Sequence, residues 1–571
     1  GETEPLVLFV TGPPGTGKSF VILALLDLFA QLLWEERKQF QFAAFQVVTA
    51  AAFAGETLHK SCSLPRGHGI GKGSVSMQLA LMLLRWFAVD EISMVDASLW
   101  RRIDLKFRTA MPDANPRKFD AHGEVRKWAG VNMILVGDFV QLPPPRGVSL
   151  CEVPQILTRF VFTSNANAQT GIELMWLHVN HIVELQIQVR IKDPWYYLAT
   201  TQCRNGCLSD NNWAFFHGET TTVCGSYMEA MDDKEEPRVL CDNERCLRLS
   251  KKHLKAGTAM TGECTTCKTH RRERRVVATG PKDPRFEMAK FKMCRMLVAC
   301  NDSRCDIAKR RTALHAREVN ERIEWVEAVD VIPSDSPMRW EAESSLRNKR
   351  KMWLKLHDRK CGDLPGMLPL VKGGLIFFTD HVDRCPLFKV HRGTRGTVVG
   401  WERHPNEPPV AEVGDVKLKF FPTVIWVKLE DAKWRIEGGP TGVYPVTVKS
   451  SQWVLNPHDP RGRHQSLKRY QFPITSGQAL TIHSSQGGTF DACILDLEQY
   501  TGLDAWMSVY VALTRVHHAN DMLLTRGFPK KLFQQGPHAE SELLLKYLKS
   551  NGLLDEAEID EYLDNKRATK E

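Results

Sequence analysis

The segment Leu6-Val-Leu-Phe-Val10, then Gly12-Pro13-Pro14-Gly15-Thr16-Gly17-Lys18-Ser19, then an apolar run to Leu33, constrains this chain more than any other feature. A short apolar run that ends in a glycine-rich turn and opens into a long apolar stretch reads as strand, loop and helix. The spacing G-x-x-x-x-G-K-S is that of a phosphate-binding loop. Its glycines let successive backbone N–H groups converge on phosphate oxygens, and the helix N-terminus adds partial positive charge. Lys18 is then expected at the β- and γ-phosphates of ATP, and the Ser19 hydroxyl on Mg²⁺.

Such a loop needs a parallel α/β sheet behind it. Phe45–Thr49, Trp86–Val89 and Met133–Val136 are further short apolar runs that end in polar or acidic residues, as parallel strands buried on both faces do. The ligand site is expected at their C-terminal edge. Asp90 and Glu91 stand at one such end, where Asp90 can bind Mg²⁺ and Glu91 can orient the attacking water. Gln141, in Val136-Gly-Asp-Phe-Val-Gln-Leu-Pro143-Pro144, can reach the γ-phosphate from the next strand.

The 571 residues are enough for three or four domains at roughly 100–200 residues each. The longest apolar candidate, Phe20 to Trp34, is interrupted by Asp27 and too short to span a bilayer, so a soluble protein without a membrane partner is expected. The net charge is +9, but Cys241 to Arg311 alone holds 19 Lys/Arg against 8 Asp/Glu, so the basicity is a patch suited to an anionic partner. Seven of the 15 cysteines lie between about 200 and 285. Their low density argues for reduced thiols rather than disulfides. Cys241-x4-Cys246 and Cys264-x2-Cys267 could close a tetrahedral Zn²⁺ site ahead of His270-Arg-Arg-Glu-Arg-Arg275, or be unpaired thiols beside a solvated loop. Residues 308–356 read as helical, and 375–455 alternate β-branched and aromatic residues between Gly and Pro turns.

With Thr57-Leu-His59, Asp90-Glu-Ile-Ser-Met94, Gly137-Asp-Phe-Val-Gln-Leu-Pro-Pro144, Ala479-Leu-Thr-Ile-His-Ser-Ser-Gln-Gly487 and Tyr510-Val-Ala-Leu-Thr-Arg-Val516 following the phosphate loop in order, the chain resembles the Pif-type (petite integration frequency) DNA helicases of superfamily one B and their RecD-like relatives. The resemblance implies two RecA-like domains clamping ATP, a small inserted β-barrel, and 5′-to-3′ movement on single-stranded DNA. It makes Arg515 an arginine finger and Arg190 a second γ-phosphate contact; independently, an ATP-gated cleft needs a cation from its far wall. Thr57, His59, Lys60, Thr481, His483, Ser485 and Gln486 match the family's DNA-backbone motifs. Such contacts position DNA without reading its sequence. Three departures stand out: a shortened segment between Thr49 and Thr57, Ser484 in place of the usual basic residue, and no adenine-reading glutamine segment ahead of the loop, so that an upstream stretch is expected.

The expected fold is α/β: two RecA-like P-loop domains with parallel sheets, a Cys-rich basic insertion and a small inserted β-barrel. Residues 1–184 form the first domain and 185–374 begin the second, with the insertion at about 200–285. The barrel takes 375–470, the second domain is completed over 471–528, and 529–571 form a helical tail. The expected function is an ATP-dependent DNA helicase acting as a monomer on single-stranded and forked DNA. The resemblance adds roles in repair, recombination or telomere maintenance, and an intracellular location in the nucleus or mitochondrion. The rivals are a catalytically impaired or transposon-derived nucleic-acid-binding P-loop protein, and a P-loop ATPase that acts on proteins.

Overall fold

The computed structural model describes residues 4–568 except 33, 36–37, 46–55, 66–74, 146, 159–164, 218–275, 335, 337, 339–340, 342, 384, 386, 389, 411–413, 431, 456–464 and 498–504. The first sheet contains β1 (Val7–Thr11), β2 (Phe40–Ala44), β3 (Glu56–Thr57), β4 (Trp86–Asp90), β5 (Asn132–Val136) and β6 (His181–Glu184), in the order β3-β2-β4-β5-β1-β6. Every neighbouring pair is parallel. Helix α1 (Lys18–Gln31) leaves the end of β1, and α2 (Ala97–Ala110) follows β4. The Asp96 carboxylate caps α2 by accepting from the Leu99 N–H at 3.1 Å, satisfying one of the donors a helix start leaves open. Phe9, Phe87 and Met133 from the strands pack with Trp100 and Trp128 in one core.

The second parallel sheet contains β7 (Arg295–Val298), β8 (Ala479–Thr481), β9 (Cys493–Leu495) and β10 (Met522–Leu524), ordered β8-β7-β9-β10. Helix α3 (Pro194–Arg204), whose N-terminus is capped by Asp193, and helix α4 (Ala505–Leu513), buried along its whole length, pack on it. Between β7 and β8 the chain builds a five-stranded antiparallel sheet from Leu375–Phe378, Arg395–Glu402, Val424–Leu429, Val443–Val446 and Ile474–Ser476. It has a core of its own, with Phe378, Val398, Ile425, Val427 and Phe472.

Several expectations change. The strand placed at Phe45–Thr49 is Phe40–Ala44 instead: Phe40 and Phe42 alternate with Gln and bury, and that alternation is easily passed over beside a continuous apolar run. Positions 46–49 lie outside the described residues. Residues 308–356 are not one helical stretch, since helices Asn301–Glu318 and Glu343–Trp353 are separated by strands Glu324–Glu327 and Val329–Val331. The flanks of the expected insertion belong to the second core, through Cys203, Leu208 and Phe216 on one side and Val276 and Val277 on the other. The zinc candidates Cys241, Cys246, Cys264 and Cys267 and the arginine run at 271–275 lie outside the described residues, as does most of the shortened segment ahead of Thr57. The tail forms helices Ala539–Lys549 and Glu556–Ala568, whose Leu543, Leu544, Leu548, Tyr562 and Leu563 complete the core of the first sheet. No described helix is long and apolar enough to cross a membrane.

Candidate active site

The strand order sets β4, β5 and β1 side by side, so their C-terminal ends bring together Asp90-Glu91, Gly137-Asp138 and the phosphate loop. Gly15 has φ +84°, and a Cβ there would lie 2.2 Å from Gln188 Oε1 and 2.6 Å from Arg190 Cβ, so only glycine fits. Gln188 lies across the loop: its side-chain amide donates to the Pro14 carbonyl at 2.8 Å and accepts from the Arg190 N–H at 2.8 Å. The Lys18 ammonium donates to the carbonyls of Gly12, at 2.6 Å, and Pro13, at 3.0 Å. Burial lowers its pKa below the ordinary lysine range, against the pull of Asp138, Glu91 and Asp90.

Asp90 accepts from the Glu91 N–H at 2.9 Å. Burial, and then the neighbouring Glu91, push its carboxyl up to about 7. A buried carboxylate with so little compensation suits a cation, and Asp90 with Ser19 at the start of α1 provides hard oxygen donors of the kind Mg²⁺ takes. Glu91 is buried in the left-handed region, at φ +53°. The close approach of β5 to the turn after Glu91 requires Gly137, where a Cβ would lie 2.9 Å from Ile92 Cγ2 and 3.0 Å from Ile92 N.

Asp138 and Arg204 were not singled out from sequence. Arg204, the last residue of α3, donates to both Asp138 oxygens, at 2.5 and 2.8 Å, and also hydrogen-bonds the Tyr510 hydroxyl. Burial works against both charges, yet each partner wins for the other: the Asp138 pKa falls and that of Arg204 rises. Gln141 is buried and its amide donates to Asp138 Oδ2 at 3.4 Å, so it joins this network. Asp138 was within view, inside the motif that contains Gln141. Nothing local marks Arg204.

The opposite wall comes from the second sheet. Arg515 is 1% exposed, and its guanidinium donates to the carbonyls of Val511, at 2.7 Å, and Gly488, at 3.3 Å, and to the Thr514 hydroxyl at 2.8 Å. Burial and then Arg190 push its pKa down to about 9, while Glu91 pulls it back up. Arg190 donates to the Thr514 carbonyl at 3.1 Å and also feels Glu91. Lys18 from one sheet and Arg515 from the other therefore share the field of one carboxylate.

The residues expected on DNA divide. Lys60 and His59 are exposed, Thr57 and His483 half-buried. Lys60 pairs with Glu56, and partial desolvation on the ring's inner side, then Arg102, lower the His59 pKa. Thr481 and Ser485 are buried in the turn itself: the Thr481 hydroxyl accepts from the Ser484 N–H at 3.3 Å, and the Ser485 hydroxyl donates to the Ile482 carbonyl at 2.7 Å. Gln486, 4% exposed, faces the cleft, where its amide donates to Glu91 Oε2 at 2.7 Å.

Residues 2–193 match the family described as PIF1-like helicase. The likeness is to Pif1-type helicases. Among curated relatives, the ATP-dependent DNA helicase PIF1 of Saccharomyces cerevisiae is 29% identical over 170 residues, 28% of this chain and 17% of that protein. The RRM3 helicase of the same species is 28% identical over 148 residues, 24% of this chain and 18% of its own. The chain thus spans less than a fifth of either relative's length. Among solved structures, Bacteroides Pif1 in complex with ADP-AlF3 and ssDNA superposes with TM-score 0.54 at 19% identity, covering 96% of this chain and 95% of that one. Candida albicans Pif1 gives 0.52 at 18% identity, covering 95% of each. The Pif1-type fold therefore extends over nearly the whole chain.

Proposed function

We propose that this chain is an ATP-dependent DNA helicase that moves along single-stranded DNA in the 5′-to-3′ sense and opens forked duplex. One observation carries the reading: Glu91 stands between Lys18 and Asp90 on the first sheet and Gln486 and Arg515 on the second. A nucleotide seated there touches both walls, so its hydrolysis changes how tightly they close. Ser19 and Asp90 would hold Mg²⁺, which when bound would neutralise charge on the phosphates. The water oxygen bonds the γ-phosphorus as the bond to the ADP oxygen breaks. Glu91 accepts the water proton and passes it to the released phosphate. Lys18, Arg190 and Arg515 stabilise the charge on the transferring group. Gln141 acts through Asp138 as a sensor of that group.

His59, Lys60, Thr57 and His483 grip the DNA backbone. Two RecA-like domains, an inserted barrel and a basic Cys-rich insertion make up the motor, which works as a monomer in the nucleus or mitochondrion on repair, recombination or telomere intermediates. For Cys241, Cys246, Cys264 and Cys267 the spacing leaves a Zn²⁺ site and unpaired thiols both open; about one zinc per chain by elemental analysis, lost in a Cys264→Ser/Cys267→Ser variant, would establish the metal, and a metal-free wild type the thiols.

The experiment for the main reading is ATP hydrolysis with and without single-stranded DNA. Many-fold stimulation, abolished in Lys18→Ala, is expected. Indifference to DNA would favour an ATPase that acts on proteins, and DNA binding without turnover an impaired binder.

A further inference from the structure

Gln486 belongs to a turn whose two sides have different surroundings. The strand Ala479–Thr481 runs into the single helical turn Ile482–Ser485, fixed internally by the Thr481 and Ser485 hydroxyls. One side of this turn reaches solvent through Ser484 and the half-buried His483. The other ends in Gln486, buried and reaching across the seam to a residue 395 positions earlier. A turn so braced moves as a unit, so a displacement at its outer side is felt at its inner end.

What Gln486 holds is equally particular. Its N–H occupies a lone pair on Glu91 Oε2 at 2.7 Å. A carboxylate that accepts a buried, charge-assisted hydrogen bond is held in one rotamer, with that oxygen aimed at its donor rather than at an attacking water. Glu91 also sits in the left-handed region, a conformation that a non-glycine residue keeps only while its surroundings hold it there. The other Gln486 side-chain atom, Oε1, is buried without a hydrogen-bond partner among the described residues. The arrangement therefore satisfies only one end of the side-chain amide, and leaving it gives up one hydrogen bond rather than two.

We infer that Gln486 is a positioning residue that restrains Glu91 until single-stranded DNA, pressing on the Ser484–His483 side of the same turn, draws it away and frees the carboxylate to take the proton of the attacking water. This rests on the reading of Glu91 as the base and of the turn as a DNA contact. It makes the contact a regulator of hydrolysis as well as a grip, with both functions on one short segment.

The test is the ratio of ATPase rates with saturating single-stranded DNA and without it, for wild type, Gln486→Met and Glu91→Gln. Methionine keeps the volume of glutamine and removes its donor. The expected result for Gln486→Met is a DNA-independent rate raised at least ~10-fold, the effect of about 1.4 kcal/mol of lost restraint, with the DNA-saturated rate near that of wild type. An unchanged ratio, or one that falls because the stimulated rate drops, overturns the inference. Gln486→Leu serves as a second variant should the first melt early. Glu91→Gln must be inactive in both conditions, and wild type must respond to DNA; failure of either sinks the underlying reading instead.

Discussion

Arg204 and Asp138 pair two buried charges, with one terminal guanidinium nitrogen on each carboxylate oxygen and Lys18 adding its field on Asp138. Removing one partner leaves the other charge stranded. Arg204→Ala is therefore expected to destabilise the protein by about 3–5 kcal/mol, and Arg204→Ala/Asp138→Asn by clearly less; denaturant unfolding of the three proteins measures the difference. Asp90 titrates where it matters for the metal. With its carboxyl pushed up to about 7, the proton competes with Mg²⁺ below that pH and hardly at all well above it. The Mg²⁺ concentration giving half-maximal ATPase should rise as pH falls from 8 to 6, and an unchanged midpoint would contradict this environment for Asp90. Lys18, Ser19, Asp90 and Glu91 were legible in sequence because their chemistry is local: a loop of fixed spacing and the end of one strand. Arg204 was not, because its partner is 66 positions away and on another element.

Elements explain why Glu91 stands where it does. The end of β5 touches the turn after β4 because position 137 has no side chain, and a methyl group there would push on Ile92. Gly137→Ala should thus move the Glu91 backbone while leaving the strands paired. A misplacement of about 1 Å at a reacting group costs on the order of 100-fold in rate, so the smaller shift expected here sets a loss of up to that size. The expected outcome is a steep loss of kcat with nucleotide affinity and melting temperature little altered; equal losses of all three would show that Gly137 serves the sheet rather than the site. The same scale marks the limit of reading by pattern. The apolar runs at 86–89 and 133–136 announced β4 and β5 because both faces are covered, whereas β2 was misplaced because a strand with alternating Gln and Phe carries a weaker signal than the run beside it. For Thr481, Ser485 and Gln486 the pattern marked a polar motif but not the partner of each side chain: the two hydroxyls close the turn on itself and the amide crosses to Glu91.

Across the whole molecule, the two sheets are bound by more than the cleft. After Phe533, still in the second core, the chain crosses to the first, where Leu543, Leu544 and Tyr562 are buried and Lys549 pairs with Glu184 of β6 at 2.6 Å. Trp176 meets Tyr547 with ring centroids 5.3 Å apart. Leu544→Ala should cost about 2–5 kcal/mol, with the loss seen as earlier melting of the first sheet's core by hydrogen exchange, and a loss confined to the tail helices would refute their part in that core. Composition gave the helical character of the tail, since Leu and Glu at helical spacing suffice for that. It could not give the destination, which depends on which apolar groove the rest of the chain leaves uncovered. This return has a consequence for synthesis: the first sheet cannot finish its own interior until the segment holding Leu543, Leu544, Leu548, Tyr562 and Leu563 has also been made, so the settling of an early stretch waits on a much later one.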